Sequence, residues 1–134
     1  MILYREFSRS GYRIFRLLLL VPTLLLASPV VAELAPDVEV EHLLNTIGNS
    51  DCIFIRNGTR HNASNAEDHL RMKYHKARRH ADNADEFIDN LASESSWTGK
   101  PYMIECPVSG EQPARQWLTE RLNAYRHANQ RVYQ

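Results

Sequence analysis

The sequence predicts an α+β fold, in which two short antiparallel strands pack against about four helices. Two segments rich in β-branched and aromatic residues, 52–56 and 102–106, have the length and the flanking turn residues of strands. Apolar residues recur at helical spacing in four other segments, which predicts helices at about 38–48, 65–81, 84–93 and 113–128. Helices and strands mixed without regular alternation are typical of α+β domains.

Residues 1–32 have the layout of a secretory signal peptide. Four arginines precede an apolar run at 17–27, and small residues stand at Val30 and Ala32. A membrane-spanning helix is the alternative, but it needs about 20 apolar residues, and a proline interrupts this shorter run. We expect cleavage after Ala32. The remainder, 33–134, is then a single α+β domain with frayed ends, periplasmic or secreted, and not bound to the membrane.

The exported part begins with a helix and a strand. In the helix at 38–48, apolar residues recur at intervals of three and four, namely Val40, Leu43, Leu44 and Ile47. Gly48 then suits the end of a helix. The strand that begins at Cys52 is followed by Asn57-Gly58, a pair that favours a tight two-residue turn.

Two helices follow, each with a capping signal. Ser64-Asn65-Ala66-Glu67 matches a capping box at the start of the helix at 65–81. Asn83-Ala84-Asp85-Glu86 matches another at the start of the helix at 84–93. After a polar loop comes the second strand, and Pro113 suits the first turn of the last helix.

The two strands can be paired in one register. An antiparallel pairing places six side chains on one face of the sheet, in the facing pairs Cys52 and Cys106, Phe54 and Ile104, and Arg56 and Tyr102. An even number of cysteines in an exported protein usually forms disulfides. We therefore expect a Cys52–Cys106 disulfide, with two free buried thiols as the alternative.

Charge and motif content argue against several function classes. The predicted signal carries four Arg and one Glu, which leaves the exported part with a formal charge of −3, whereas nucleic-acid binding calls for a strongly basic face. The six histidines form neither an H-x-x-x-H nor an H-E-x-x-H metal-binding pattern. Gly99-Lys100 lacks the remainder of a phosphate-binding loop motif. We expect no nucleic acid, metal or cofactor.

Four segments resemble the YfeK-like family of small exported bacterial proteins. They read FIRNG at 54–58, HLRMK at 69–73, ADEFI at 84–88 and ASESSWTGKPY at 92–102. The resemblance extends from about Val38 to about Arg126. It implies a periplasmic or secreted protein with that family's fold, and it brings no established activity, substrate or catalytic residue.

A candidate ligand site follows from the second predicted helix and the loop after the third. At about 100° per residue, His69, Lys73 and His80 lie along one side of their helix. We hypothesise that a ligand binds where this side meets the loop residues Ser95, Ser96, Trp97 and Lys100. Cations, hydroxyls and an aromatic ring suit a small anionic ligand or a glycan. A solvated helix flank and a polar crossover loop are the alternative interpretations.

Two functions remain open. The leading hypothesis is a non-catalytic binding or accessory domain of the cell envelope, whose partner is an envelope protein, a glycan or a small anion. The alternative is a small envelope hydrolase that uses His69 or His80 with the Ser95–Lys100 loop, although the sequence has no G-x-S-x-G elbow. A deep pocket that joins His69 to this loop would favour the hydrolase.

Overall fold

The computed structural model describes residues 36–132, and the signal peptide predicted for 1–32 lies outside them. The described residues form an α+β fold around an antiparallel sheet. Its strands are β1 (Ile53–Arg56), β2 (Thr59–His61), β3 (Met103–Cys106) and β4 (Gly110–Pro113). The α-helices are α1 (Pro36–Gly48), α2 (Ala63–Ala77), α3 (Ala84–Glu86) and α4 (Ala114–Val132).

The predicted number of strands is wrong. The sheet has four strands in the order β2-β1-β3-β4, because each of the two predicted strands forms a hairpin with a short edge strand. The edge strands read Thr59-Arg60-His61 and Gly110-Glu111-Gln112-Pro113, without the apolar alternation that marks a half-buried strand. Polar side chains and a proline are common on edge strands, where they discourage further pairing.

The predicted register of the two central strands is confirmed. Phe54 faces Ile104 in an antiparallel ladder between β1 and β3. The Cys52–Cys106 disulfide is also confirmed, and it joins the residue before β1 to the last residue of β3. The side chains of Phe54 and Ile104 are buried on the face that the helices cover, because alternate residues of a strand point to the same side.

The turn between β1 and β2 forms at the predicted Asn57-Gly58 pair. Both residues have positive φ, 50° for Asn57 and 79° for Gly58, as a two-residue turn of type I′ requires. This turn reverses the chain so that Thr59 pairs with Arg56 and His61 pairs with Phe54. It thereby brings His61 to the helix-covered face of the sheet.

The second helix begins earlier than predicted. Its N-cap is Asn62, whose side-chain oxygen accepts a hydrogen bond from the Asn65 N–H at 2.8 Å, so the predicted capping box at Ser64 is wrong. Because β2 ends at His61, the helix can start directly after the edge strand. Its last predicted residues form a separate 3-10 turn, Arg78–His80.

The third and fourth helices also differ from their predicted limits. Asn83 caps α3 as predicted, accepting a hydrogen bond from the Glu86 N–H at 2.9 Å. Only one turn is α-helical, and the chain continues as a π-helical segment, Phe87–Ala92. The last helix continues to Val132 beyond its predicted end near 128, since no helix-breaking residue interrupts it.

The core lies between the sheet and the helices. Trp117 of α4 packs edge-on against Phe54, with ring centroids 6.1 Å apart, and Tyr74 of α2 packs in the same way against Phe87 at 5.6 Å. The largest fully buried side chains come from all layers, namely Val40, Leu43, Leu44, Ile47, Phe87, Ile88, Ile104, Leu118 and Leu122. Among residues 36–132, no helix combines the length and the apolar character needed to cross a membrane.

Ion pairs fix α1 to the other helices. Arg126 of α4 binds Glu39 with two hydrogen bonds, of 2.8 and 2.7 Å, and it also binds Asp85. Arg71 of α2 binds Glu41 at 2.7 Å. Glu39 is buried, so its charge depends on the guanidinium of Arg126 for compensation.

Candidate anion-binding site

Lys73 contacts the segment that precedes the predicted ligand loop. Its ammonium donates hydrogen bonds to the backbone carbonyls of Leu91, at 2.6 Å, and Glu94, at 3.4 Å. It also lies 5.3 Å from the ring centroid of Tyr102. Burial lowers the pKa of Lys73, with a further contribution from the nearby Arg56. Lys73 therefore has a structural role. Its ammonium donates hydrogen bonds to backbone carbonyls near the end of the π-helical segment.

The loop at 95–100 is held in place by its own hydrogen bonds. The Ser95 N–H donates to the Lys100 carbonyl at 3.0 Å, and the Gly99 N–H donates to the Ser95 carbonyl at 2.8 Å. The Thr98 hydroxyl donates to the Asn57 side chain at 2.7 Å, which ties the loop to the β1–β2 turn. Ser95 is buried, and its hydroxyl oxygen accepts from the Thr98 N–H at 3.3 Å.

The other predicted site residues point into solvent. Trp97 is 95% exposed, and Ser96 and Lys100 are also exposed. His80 lies on the 3-10 turn, where its ring nitrogen accepts from Arg79 and its carbonyl accepts from Asn90. Among the described contacts, none joins these side chains to His69. The structure thus places Lys73 near the base of the loop but does not gather the predicted set into one site.

A small cavity lies instead between α2 and the sheet, and His69 lines it. Its volume is about 30 Å³, and its other lining residues are Phe54, Ile55, Arg56, His61, Ala66, Leu70, Ala92, Tyr102, Ala114 and Leu118. Most of these contribute carbon atoms to the wall. The polar residues Arg56 and His61 of the β1–β2 hairpin, His69 of α2 and Tyr102 also border it, but almost all of the surface that faces the cavity is carbon.

Two histidine nitrogens at this cavity have no partner. The Nε2 atoms of His61 and His69 are both buried, and neither forms a hydrogen bond with the described residues. A buried polar atom without a partner costs about 1–3 kcal/mol, so such atoms are uncommon in folded proteins. A neutral imidazole can carry its proton on Nε2 and donate it to an acceptor. Both nitrogens are enclosed by protein atoms, so their hydrogen-bonding capacity is unused within the described residues.

The charge around these nitrogens is positive. Burial, together with Arg56, Lys73 and His61, lowers the pKa of His69 to about 4. Burial also raises the pKa of Tyr102, while Arg56 opposes this rise. The side chain of Arg56 is half-buried, and no hydrogen bond or ion pair joins its guanidinium to another residue of 36–132. An anion beside Arg56 would meet a guanidinium that has no hydrogen-bond or ion-pair partner among the described residues.

The chain is similar to bacterial proteins of unknown function. Residues 34–126 match a family of unknown function, DUF5329. The chain belongs to this family. It is 42% identical over 85 residues to the uncharacterised protein YfeK of Salmonella typhimurium, an alignment that covers 61% of this chain and 71% of the relative. The predicted resemblance to YfeK-like proteins is confirmed. No solved structure matches the chain.

Sequence reasoning missed Arg56 and His61 as members of a site in this DUF5329 protein. The predicted register places Arg56 on the same face of the sheet as Phe54. This position could have identified Arg56 as a site residue. His61 could not be placed without β2, because only the hairpin pairing with Phe54 turns it towards α2. The signal for that hairpin was the Asn57-Gly58 turn.

Metal ligands do not converge in the described part of the chain. No group of three or more His, Cys, Asp or Glu side chains within 36–132 is arranged to hold a metal ion. His61 and His69 both line the cavity, but Arg56 and Lys73 surround them with positive charge. Positive charge repels a cation, so this pair of histidines suits an anion better.

Proposed function

We propose that this protein is a non-catalytic binding domain of the bacterial cell envelope, whose ligand places a small anionic group beside Arg56. The observation that carries the proposal is the lack of a partner for this half-buried arginine among the described residues. Arg71 and Arg126, the other half-buried arginines within residues 36–132, each bind two carboxylates. A guanidinium left without a carboxylate in this environment favours a ligand that supplies one.

Export to the envelope is supported by two independent features. Residues 1–32 have the order of basic, apolar and small-residue regions expected of a cleaved signal. The disulfide between Cys52 and Cys106 favours an oxidising compartment, since structural disulfides are rare in the cytosol.

A binding function accounts for the contacts better than hydrolysis does. A serine nucleophile needs a hydrogen bond to a base, but the described contacts of the Ser95 hydroxyl are with Thr98 and Asn57. His80 is exposed, with Arg79 as its side-chain contact. The cavity that His69 lines does not include the loop at 95–100. These arrangements give no support to a catalytic pair, so we do not propose a hydrolase.

Titration of the purified protein with sodium acetate and with inorganic phosphate tests the proposal. We expect NMR amide shifts at Arg56, His61 and His69 with at least one of these anions. The R56Q variant should bind about tenfold more weakly or worse, because a charge-assisted hydrogen bond contributes about 1.5–3 kcal/mol.

Arg60→Gln is the matched control. Arg60 lies on the same hairpin, but it is exposed and binds Glu105 at 2.7 Å. Its replacement should leave anion affinity within about twofold. Failure of both anions to bind would refute the proposal, and so would equal weakening by the Arg56 and Arg60 variants.

A further inference from the structure

Trp97 stands in water in the middle of the loop at 95–100. Its side chain is 95% exposed, and its two neighbours in the chain, Ser96 and Thr98, are exposed polar residues. A tryptophan carries one of the largest apolar surfaces of any side chain, and a folded protein usually buries most of it. This indole adds nothing to the core, so its surface is free to contact a ligand.

The turn that carries Trp97 is held on both sides. The Gly99 N–H donates to the Ser95 carbonyl at 2.8 Å, and the φ of 66° at Gly99 allows the chain to close this turn. The Thr98 hydroxyl donates to the Asn57 side chain at 2.7 Å, which fixes the turn to the β1–β2 hairpin. The backbone around the indole is therefore already ordered, so a ligand that covers the ring avoids much of the entropy cost of ordering a loop.

The surroundings of the indole are polar. The Ser96 hydroxyl and the Lys100 ammonium are exposed, and neither forms a hydrogen bond with a residue of 36–132. An aromatic anchor of a protein interface is normally surrounded by further apolar contacts. The other large exposed apolar side chains within 36–132 lie on α1, on α2 and between β3 and β4, namely Val38, Met72 and Val108. A single aromatic ring among free polar groups suits a ligand that is itself apolar on one face and polar around its edge.

We propose that Trp97 is a stacking platform for a sugar ring of a glycan. A pyranose with equatorial hydroxyls exposes axial C–H groups on its faces and places its hydroxyls around the rim. The face of an indole is negative, so it attracts these C–H groups, and the contact removes apolar surface of both rings from water. Ser96 and Lys100 offer hydrogen-bond donors to the rim hydroxyls. This site does not depend on the proposed anion site, because it uses different residues.

The two tryptophans of the chain make fluorescence a direct test. Trp117 is buried and Trp97 is exposed, so acrylamide should quench mainly Trp97. Cellotetraose and chitotetraose are β-linked tetrasaccharides whose ring hydroxyls or amides are equatorial. At least one of them should protect Trp97 from acrylamide and shift the emission to shorter wavelength. The W97F variant keeps only Trp117, and its emission should not respond to either sugar.

Calorimetry with variants distinguishes stacking from a general apolar contact. W97L and W97A should weaken sugar binding by about tenfold or more, whereas W97F should retain most of the affinity, because only an aromatic ring presents a negative face. V108A is the matched control, since Val108 is 99% exposed on another turn, and it should leave the affinity unchanged. An indole that makes so few contacts can be replaced without unfolding the protein, so each variant should melt within about 3 °C of the unaltered chain.

The outcomes separate this inference from the proposed function. Failure of both sugars to change the quenching of Trp97 would overturn the inference. Equal affinity of W97L and W97F would also overturn it, and would instead indicate a protein partner that needs only an apolar side chain. Sodium acetate, the probe of the Arg56 site, should leave the quenching of Trp97 unchanged. Binding of acetate without binding of sugar would therefore remove this inference and leave the anion site intact, and the opposite result would do the reverse.

Discussion

Reduction of the Cys52–Cys106 disulfide should greatly lower the stability of this protein. The bond joins residues 54 positions apart and ties the start of β1 to the end of β3, the two central strands of the sheet. A crosslink of this span removes much of the conformational freedom of the unfolded chain. Its effect is large here because the described domain is small and has a modest core.

The loss can be worked from the length of the closed loop. The chain-entropy relation gives about 4 kcal/mol for a loop of about 55 residues at 25 °C. A domain of about 100 residues loses roughly 4 °C or more of melting temperature for each kcal/mol. We therefore expect the melting temperature to fall by about 15 °C or more on reduction. The slope of unfolding against urea should rise, because the reduced unfolded chain exposes more surface.

Circular dichroism melts and urea unfolding, each with and without reductant, measure both quantities. The Cys52→Ala/Cys106→Ala double variant is the control, and its stability should not respond to reductant. A decrease below about 1 kcal/mol in the unaltered protein would refute the reasoning, because the bond would then constrain little of the unfolded chain. An equal response of the double variant would show that the reductant acts elsewhere.

Three further predictions concern single residues. R126A should destabilise the protein by about 2–3 kcal/mol in urea unfolding, because Glu39 would keep a buried charge without a partner. The control R131A, near the end of the same helix, should change stability by less than about 0.5 kcal/mol. G58A should cost about 1 kcal/mol in the same assay, since its φ of 79° strains a residue with a Cβ although no atom lies in its way. Burial holds the pKa of His69 at about 4, below its ordinary value near 6.5. The stability of the protein should therefore decline as the pH falls from 6.5 towards 4, and H69Q should reduce this decline.

Much of the fold could be predicted because its central elements have strong local patterns. The pairing of Phe54 with Ile104 could be predicted from two apolar segments and one pair of cysteines. The edge strands could not be predicted in the same way, because their residues are polar and their pairing depends on the turns beside them. The helix limits moved for a similar reason: the end of β2 at His61, not the capping box at Ser64, fixes where α2 begins.

The candidate site was harder to predict than the fold. His69 was identified from its place on a helix, but helical spacing cannot show whether a cation is free or already used. The Lys73 ammonium binds the Leu91 carbonyl, so a residue chosen for its charge serves the backbone instead. Arg56, which the sequence placed only as a neighbour of Tyr102, is half-buried, and its guanidinium has no described hydrogen-bond partner. A site of this kind depends on contacts between elements, which one sequence does not reveal.

The disulfide and the cavity are connected through stability. Each unpartnered histidine nitrogen costs about 1–3 kcal/mol in the absence of ligand, and a small domain has little stability to lose. The crosslink contributes about 4 kcal/mol, a quantity of the same size, through the unfolded chain and without filling the cavity. The fold can therefore keep two buried ring nitrogens without hydrogen-bond partners among the described residues.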